Sequence, residues 1–245
     1  MTNREIRKKA YTIFKSHLKY LLGWVLVRTL FVAVSFLLAL LLCESPPVMQ
    51  ILVVLLSIPV FPMVLGMTKL TLGLWCGNQP RFSYIFEIYR DKEVLVKSLR
   101  LGAVYYIIVS LAPVLYSHIT DAPEAARLSA VFLETVIESF LAPTLYLFAA
   151  SKSIGVLGLL KKSYDLMLPH IWKYLIFLIS TYCVVALSFL AFGLVAVAFS
   201  MIYYPLGMLF LIPPFLLVEP YMNVAIAGFM RHRVLGGEES TTPFH

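Results

Sequence analysis

The sequence predicts an all-helical membrane protein with six transmembrane helices, and three observations lead to this fold class. Hydrophobic residues make up 60% of the 245 residues and charged residues only 13%, about half the charged share of a soluble domain. Apolar runs of about twenty residues recur, and each can cross a hydrocarbon core of about 30 Å as a helix. Lys and Arg concentrate in alternate gaps between these runs. Because lipid cannot satisfy free backbone groups, helices are expected.

The first element is a predicted surface helix over residues 1–20. Thr2 and Glu5 have the spacing of a capping box, which marks a helix start. Such a basic amphipathic helix places its apolar face in the acyl boundary and its cations among headgroups. A helix for a soluble partner is the alternative, but direct attachment to a span favours the membrane. The apolar residues at helical spacing are Ile6, Ala10, Ile13, Phe14, Leu18 and Leu21.

Six apolar stretches follow as candidate spans. The first contains one charge, Arg28, and the second is interrupted by Pro59 and Pro62. The third is the weakest, and a start as early as Val94 is an alternative. The fifth contains no charge. The predicted spans cover residues 21–43, 48–67, 101–116, 128–150, 174–199 and 206–230.

Positive charge is distributed unequally between the gaps, and this predicts the topology. Eighteen of the twenty Lys and Arg residues lie in the N-terminal segment, the gaps after spans two and four, and the tail. Arg127 lies in another gap, and Arg28 lies within span one. Cytoplasmic loops carry the excess of Lys and Arg, so both termini are expected in the cytoplasm. The rule also supports span three, because its loss would move four lysines outside.

A second basic amphipathic segment, residues 153–168, precedes span five. Residues 8–17 and 161–170 match without a gap at two lysines, a tyrosine and a histidine. This match predicts three repeats of a surface helix plus a hairpin, at 1–74, 75–150 and 151–235. Coincidence of similar composition is the alternative. The cations expected to contact headgroups are Arg4, Lys8, Lys9, Lys15, Lys161 and Lys162.

Three segments together resemble a bacterial membrane-protein family. They are the helix REIRKKA before span one, the motif GNQPRFSYIF after span two and the helix KKSYDLM before span five. Over nearly its whole length the chain resembles a family of six-helix integral membrane proteins of unknown function, frequent in Gram-positive bacteria. It is also similar to the membrane domain joined to some glycerophosphodiester phosphodiesterases. The resemblance implies a place in the cytoplasmic membrane and no catalytic residues, because the sequence contains no phosphodiesterase barrel.

Ionisable residues within the predicted spans form the candidate functional site, because such groups are costly at depth and usually face the bundle interior. Glu134 and Glu138 are four residues apart and share one helix face, as a cation or proton path would require. The structural alternatives are pairing with Arg28 and, for Glu134, a place near the outer headgroups. The predicted intramembrane charge cluster is Arg28, Glu134, Glu138 and Glu219.

The depths of these charges predict one ion pair. Arg28 lies about 12 Å from the cytoplasmic end of its span, and Glu219 and Glu138 lie about 16 and 18 Å from theirs. We therefore expect Arg28 to pair with Glu219, with Glu138 as the second choice. A surplus carboxylate would then bind a proton or a cation. Prolines are expected to break span six around Glu219, as in transporters; they are Pro213, Pro214 and Pro220.

Other classes of site find no support in the sequence. It contains no HExxH, GxSxG or phosphate-loop motif. Cys43, Cys76 and Cys183 are too widely spaced for a zinc site or a disulfide framework. The net charge of +7 lies beside the spans, where anionic headgroups are, so nucleic acid is not an expected partner. The protein is expected to be no enzyme and to use no cofactor or metal ion.

Two functional classes remain. The first is a non-enzymatic protein of the bacterial cytoplasmic membrane that binds lipid or a membrane partner in envelope homeostasis. The second is a small transporter or channel with an ion or proton path near Glu138 and Glu219. The amphipathic helices favour the first class, with anionic lipids and a membrane protein as partners, and the acids at depth favour the second. Residues 1–235 are expected to form one membrane domain, and 236–245 a disordered tail.

Overall fold

A computed structural model of the chain describes residues 1–42, 52, 55–117, 123–150, 154–200 and 212–236. Helix accounts for 91% of the structure, and the described residues contain no strand, so the predicted all-helical class is confirmed. Short 3₁₀ turns at Ile58–Val60 and Leu168–His170 precede α3 and α8, and a π turn at Met230–Val234 follows α9. The α-helices are α1 (Asn3–Ser16), α2 (Leu18–Leu42), α3 (Phe61–Trp75), α4 (Tyr84–Arg90), α5 (Lys92–Ser117), α6 (Pro123–Ala150), α7 (Val156–Met167), α8 (Ile171–Ser200) and α9 (Ile212–Phe229).

Three stretches of the described residues are long and apolar enough to cross a membrane. They are Leu18–Ala39, Leu55–Trp75 and Val156–Val197, the last of which contains α7 and most of α8. The arrangement of six spans stays a prediction. Several parts of the predicted elements lie outside the described residues, namely 43–51, 53–54, 118–122, 151–153, 201–211 and 237–245.

The helices divide into interior and peripheral ones. Thirteen of the fifteen residues of α3 are buried, and α9 buries Val224, Ala225 and Phe229 completely. In contrast, Leu41 of α2 is 82% exposed and Leu187 of α8 is 68% exposed. Apolar side chains exposed in such numbers suit a lipid surround rather than water. The helices α2 and α8 therefore carry the apolar outer surface of the bundle, and α3 and α9 carry its core.

Three long helices each follow a shorter helix across a break. His17 separates α1 from α2, Asp91 separates α4 from α5, and the turn Leu168–His170 separates α7 from α8. At two of these breaks a histidine ring contacts the carbonyl four residues earlier. The Nδ1 of His17 lies 3.1 Å from the oxygen of Ile13, and the Nδ1 of His170 lies 3.2 Å from the oxygen of Leu166. The two histidines that match in sequence therefore occupy the same local position.

Each of these shorter helices packs against the helix before it in the chain, and α1, which is first, packs against the last helix. The helix α4 packs against α3, α7 packs against α6, and α1 packs against α9. The helix α3 also contacts both α6 and α9, so these three form the centre. Close approach of α3 and α4 depends on Gly66, because a Cβ atom there would lie 2.7 Å from the Cα of Ile85.

The structure corrects the expected environment of α1. The predicted capping box is present, since Thr2 Oγ1 accepts from the N–H of Glu5 and the Glu5 carboxylate accepts from the N–H of Thr2. The apolar face, however, does not lie in the acyl boundary. Ile6 and Ala10 are fully buried in the protein core, and Phe14 packs edge-on against Tyr221 of α9. Burial against α9 replaces burial in lipid.

The expected break in span six is also wrong. The helix α9 continues through Pro220, which is buried. Neighbouring helices tolerate a proline in a membrane helix by satisfying the carbonyl that it frees. Pro213 and Pro214 lie in the first turn of α9, where a missing N–H costs little.

The helix of span two extends beyond the predicted end. It runs to Trp75, past the predicted limit at residue 67, and contains Lys69. Lys69 does not end the helix because its ammonium lies 2.5 Å from the Glu87 carboxylate and 5.1 Å from the ring centre of Tyr84. The helix α4 thus supplies the partners that make a charge acceptable in α3.

Candidate functional site

The first part of the candidate site is an ion pair between α2 and α9. Arg28 donates from Nη1 to Oε1 of Glu219, and each side chain is about one-third exposed. The pair predicted from depth is therefore present in the structure. Since removal of one partner leaves the other charge uncompensated, the pair couples the positions of the two helices.

The surroundings of Arg28 extend this coupling to α3. The guanidinium carbon lies 5.4 Å from the ring centre of Trp24, one helical turn earlier, which is within the range of a cation–π interaction. Trp24 is buried, and its Nε1 donates to the carbonyl oxygen of Met63 in α3 at 3.2 Å. Three helices therefore meet at this charge.

The other two predicted acids stand apart from the pair. Glu134 and Glu138 form no ion pair among the residues that the structure describes. Glu138 lies at the surface of the bundle, and its electrostatic neighbours include Tyr105 and Tyr106 of α5. The structure thus joins two members of the predicted cluster and leaves two acids on α6 without a countercharge in the described part.

The second part of the candidate site is a groove of about 510 Å³ between α1, α8 and α9. This volume lies within the range of about 300–1,000 Å³ found for small-molecule sites. Its two long walls are apolar. Val184, Val185 and Phe192 form the wall on α8, and Leu217 and Val218 contribute to the wall on α9.

The third wall of the groove is basic because of the residue spacing in α1. Arg4, Lys8 and Tyr11 are separated by four and three residues, so they form one stripe on the helix, and Arg7 lies beside it. All four line the groove. The neighbouring stripe contains Ile6, which is buried in the core. Burial of one face of α1 therefore turns its basic face toward the groove.

Arg7 is oriented into this region by a hydrogen bond. Its Nη1 donates to Oγ of Ser180 on α8 at 2.5 Å. Ser180 lies one helical turn before Val184, so the guanidinium marks the end of the groove nearer the start of α8. A serine hydroxyl is neutral, and none of the three cations has a carboxylate partner among the described ion pairs. The groove therefore presents uncompensated positive charge next to apolar walls.

The remaining cations that were predicted to contact headgroups have different environments. Lys15, Lys161 and Lys162 are exposed, as contact with a charged surface requires. Lys9 instead lies over the ring of Trp75, with its Nζ 5.1 Å from the ring centre. Lys9 thus helps to dock α1 onto α3, whereas Arg4 and Lys8 face the groove.

Trp75 is the centre of a polar contact at the ends of α3 and α9. Its Nε1 donates to the carbonyl oxygen of Val224 at 2.7 Å, and its own carbonyl oxygen accepts from Nη1 of Arg231. The ring of His232 packs edge-on against Trp75 at 5.4 Å. Burial and the neighbouring Arg231 and Lys9 lower the pKa of His232 below its ordinary value, so its neutral form fits this contact.

Sequence reasoning missed several of these residues. The sequence identifies Arg7 only as one of the basic residues that predict the topology, although its position beside Arg4 and Lys8 on a helical wheel places it near the same face. Ser180 and His232 could not have been found, because their partners are more than 150 positions away. Only the packing of α1 and α3 against the C-terminal half brings these groups together.

Comparison of the chain with protein-family models, with curated proteins and with solved structures gives no match.

Proposed function

We propose that the chain is a multi-pass protein of the bacterial cytoplasmic membrane that binds lipid and catalyses no reaction. In this proposal six helices span the membrane, both termini lie in the cytoplasm, and the protein supports envelope homeostasis alone or with a membrane partner. The groove between α1, α8 and α9 carries the proposal, because it combines cations with apolar walls. A ligand that matches both surfaces is an amphiphile.

The apolar outer surface supports the same function. Leu187 and Leu194 of α8 are 68% and 66% exposed, and Val184 and Val185 of the same helix line the groove. The groove therefore adjoins a surface that suits acyl chains. A lipid can enter sideways from the bilayer, without leaving an apolar environment.

A stability measurement tests this function. The purified, delipidated protein should melt at a higher temperature when phospholipid is added to the detergent, and the rise should saturate. A ligand that binds only the folded state stabilises it by about 2.7 kcal/mol at one hundred times its Kd. A melting temperature that no phospholipid raises beyond the effect of added detergent would refute lipid binding.

The alternative function is a small transporter or channel with an ion or proton path near Glu138 and Glu219. The observation that favours it is the lack of a described ion pair for Glu134 and Glu138. A carboxylate without a fixed countercharge can accept a cation or a proton. Pairing of Glu219 with Arg28 moves the candidate path toward α6.

Flux measurements separate the two functions. Protein reconstituted into vesicles with a proton gradient or a potassium gradient should dissipate it if a path exists. Glu138→Gln should then abolish the flux, and Glu93→Gln at an exposed position in the first turn of α5 is the control. Vesicles with wild-type protein that leak no faster than empty vesicles would exclude the path for these two cations.

A further inference from the structure

We propose that the groove is a site for one anionic phospholipid, with the phosphate at Arg4, Arg7 and Lys8 and an acyl chain between α8 and α9. This inference rests on the proposed function and specifies its ligand. The charge of the groove, its direction and its shape lead to it independently.

Charge selects an anionic headgroup. Three cations line one wall of the groove, and none has a carboxylate partner among the described residues. Arginine presents a planar fork of donors that fits two phosphate oxygens. A zwitterionic lipid brings its own amine into the same field, so it gains less from the three cations than an anionic lipid does.

The direction of the groove matches a lipid of the cytoplasmic leaflet. Arg7 contacts Ser180, and the apolar wall on α8 continues from Val184 to Phe192, a rise of about 12 Å. With both termini in the cytoplasm, α8 runs from the cytoplasmic face toward the outer face. The cations therefore lie nearer the cytoplasmic headgroups than the apolar wall does, and this wall continues beside the acyl chains.

The shape of the groove argues against a soluble phosphate ester. Such a molecule would contact the cations but would not cover the apolar surface that Val184, Phe192 and Val218 present to the groove. Burial of apolar surface contributes about 25 cal/mol per Å², so a ligand with a chain gains from these walls and a ligand without one does not. The chain is thus part of what the site recognises.

Native mass spectrometry of the full-length protein in detergent tests the headgroup. The probe is an equimolar mixture of phosphatidylglycerol and phosphatidylcholine with the same chains. Wild-type protein should retain phosphatidylglycerol roughly tenfold better. Arg4→Gln/Lys8→Gln should remove most of this preference, and both positions are exposed, so the fold should persist. Lys161→Gln/Lys162→Gln removes the same charge from α7 and should keep the preference.

A second pair of variants tests the apolar wall. Val184→Trp, at a groove position that is 46% exposed, fills the groove and should lower retention of phosphatidylglycerol severalfold, whereas Leu187→Trp at an exposed position of α8 should not. Glycerol 3-phosphate, which has the phosphate but no chain, should not displace the lipid. Displacement by glycerol 3-phosphate would show a site for soluble phosphates and would overturn the inference.

The results separate this inference from the proposed function. If wild-type protein binds both lipids equally, or if the α1 and α7 variants lose the preference to the same extent, the protein binds lipid but the groove is not the anionic site. If wild-type protein retains neither phospholipid, the proposed function and the inference both fail. A loss confined to the α1 and Val184 variants supports both.

Discussion

At the scale of single residues, the ion pair of Arg28 and Glu219 determines how α2 meets α9. An unpaired arginine at the centre of a membrane helix costs about 2.5–3.5 kcal/mol on insertion scales. Pairing with Glu219 and the contact with Trp24 reduce this cost while both side chains stay partly exposed. The pair therefore favours one rotational setting of α2, with Arg28 toward the bundle.

Charge exchange tests this pair. Arg28→Glu and Glu219→Arg should each lower the yield of folded, monodisperse protein, because each places two like charges side by side. The double exchange should restore much of that yield. Glu134→Gln serves as a control and should have little effect. A double variant no better than the worse single variant would mean that Arg28 instead reaches the headgroups.

His232 gives the C-terminal contact a dependence on pH. Its pKa is lowered in the folded protein by burial and by neighbouring cations, so the unfolded chain binds the proton first as the pH falls. Stability is therefore complete above the unfolded pKa of about 6.5 and decreases below it. The charges that act on the ring are those of Arg231, Lys9, Arg233 and the N-terminal ammonium, all of which oppose protonation.

A comparison of melting temperatures at pH 8 and pH 5.5 tests this contribution. Wild-type protein should lose more stability on acidification than His232→Gln, because glutamine does not titrate. Other groups titrate equally in both proteins and cancel in the difference. Parallel curves for the two proteins would show that His232 does not contribute.

Residues differ in how far the sequence could predict them. The pair of Arg28 and Glu219 was predictable because depth in a bilayer follows from the number of residues along a helix. The contacts of Arg7 with Ser180 and of Lys9 with Trp75 were not, because they depend on which neighbour α1 packs against. A charge pattern reveals a basic face but not its partner.

At the scale of elements, the environments of α1 and α3 were not fully predicted for the same reason, because the sequence does not reveal which neighbour a helix packs against. The capping box of α1 is local and was predicted correctly. Burial of Ile6 and Ala10 was not predicted, because an amphipathic face fits lipid and protein equally well. Similarly, a lysine at position 69 favours an end of span two before it, because the sequence does not show that Glu87 of α4 pairs with Lys69.

The contact of α3 with α4 gives a prediction at this scale. Gly66→Ala should lower the melting temperature, because its Cβ atom would lie 2.7 Å from the Cα and 2.9 Å from the oxygen of Ile85. Overpacking of this kind typically costs about 1–3 kcal/mol, and backbone atoms cannot rotate away. Gly193→Ala is the matched control, since no atom lies within 4 Å. It should be neutral or stabilising by up to about 1 kcal/mol.

An unchanged melting temperature for Gly66→Ala would contradict this account of the close approach. It would mean that α4 moves away from α3 without loss. In that case the ion pair of Lys69 and Glu87 would not require a fixed distance between α3 and α4.

At the scale of the whole molecule, the packing order gives physical content to the hypothesis of three repeats. Contacts of α1 with α9, α4 with α3 and α7 with α6 repeat one relation around the bundle. The groove lies at the first of these positions. At the second position, where α4 packs against α3, Phe82 of the α3–α4 connection lies against Gly23 of α2. An aromatic side chain therefore occupies the space beside α4. The repeat itself stays a proposal, which a measured structure with three superimposable units would support.

The direction of the groove links the lipid proposal to topology, which reporter fusions can test. The charge distribution predicts that six spans alternate from a cytoplasmic N-terminus. Fusions after Gln79, Ser163 and Gly237 should report a cytoplasmic position, and those after Ser45, Ala122 and Tyr203 an external one.

The fusion after Ser163 is decisive because it depends on the weakest span. If residues 101–116 do not cross the membrane, α7 and its lysines lie outside, and α8 runs in the opposite direction. The part of α8 around Ser180, which Arg7 contacts, would then lie nearer the outer side, whereas α1 stays in the cytoplasm. Arg7 could then not reach Ser180, so an external Ser163 fusion would contradict both the six-span topology and the contact of Arg7 with Ser180.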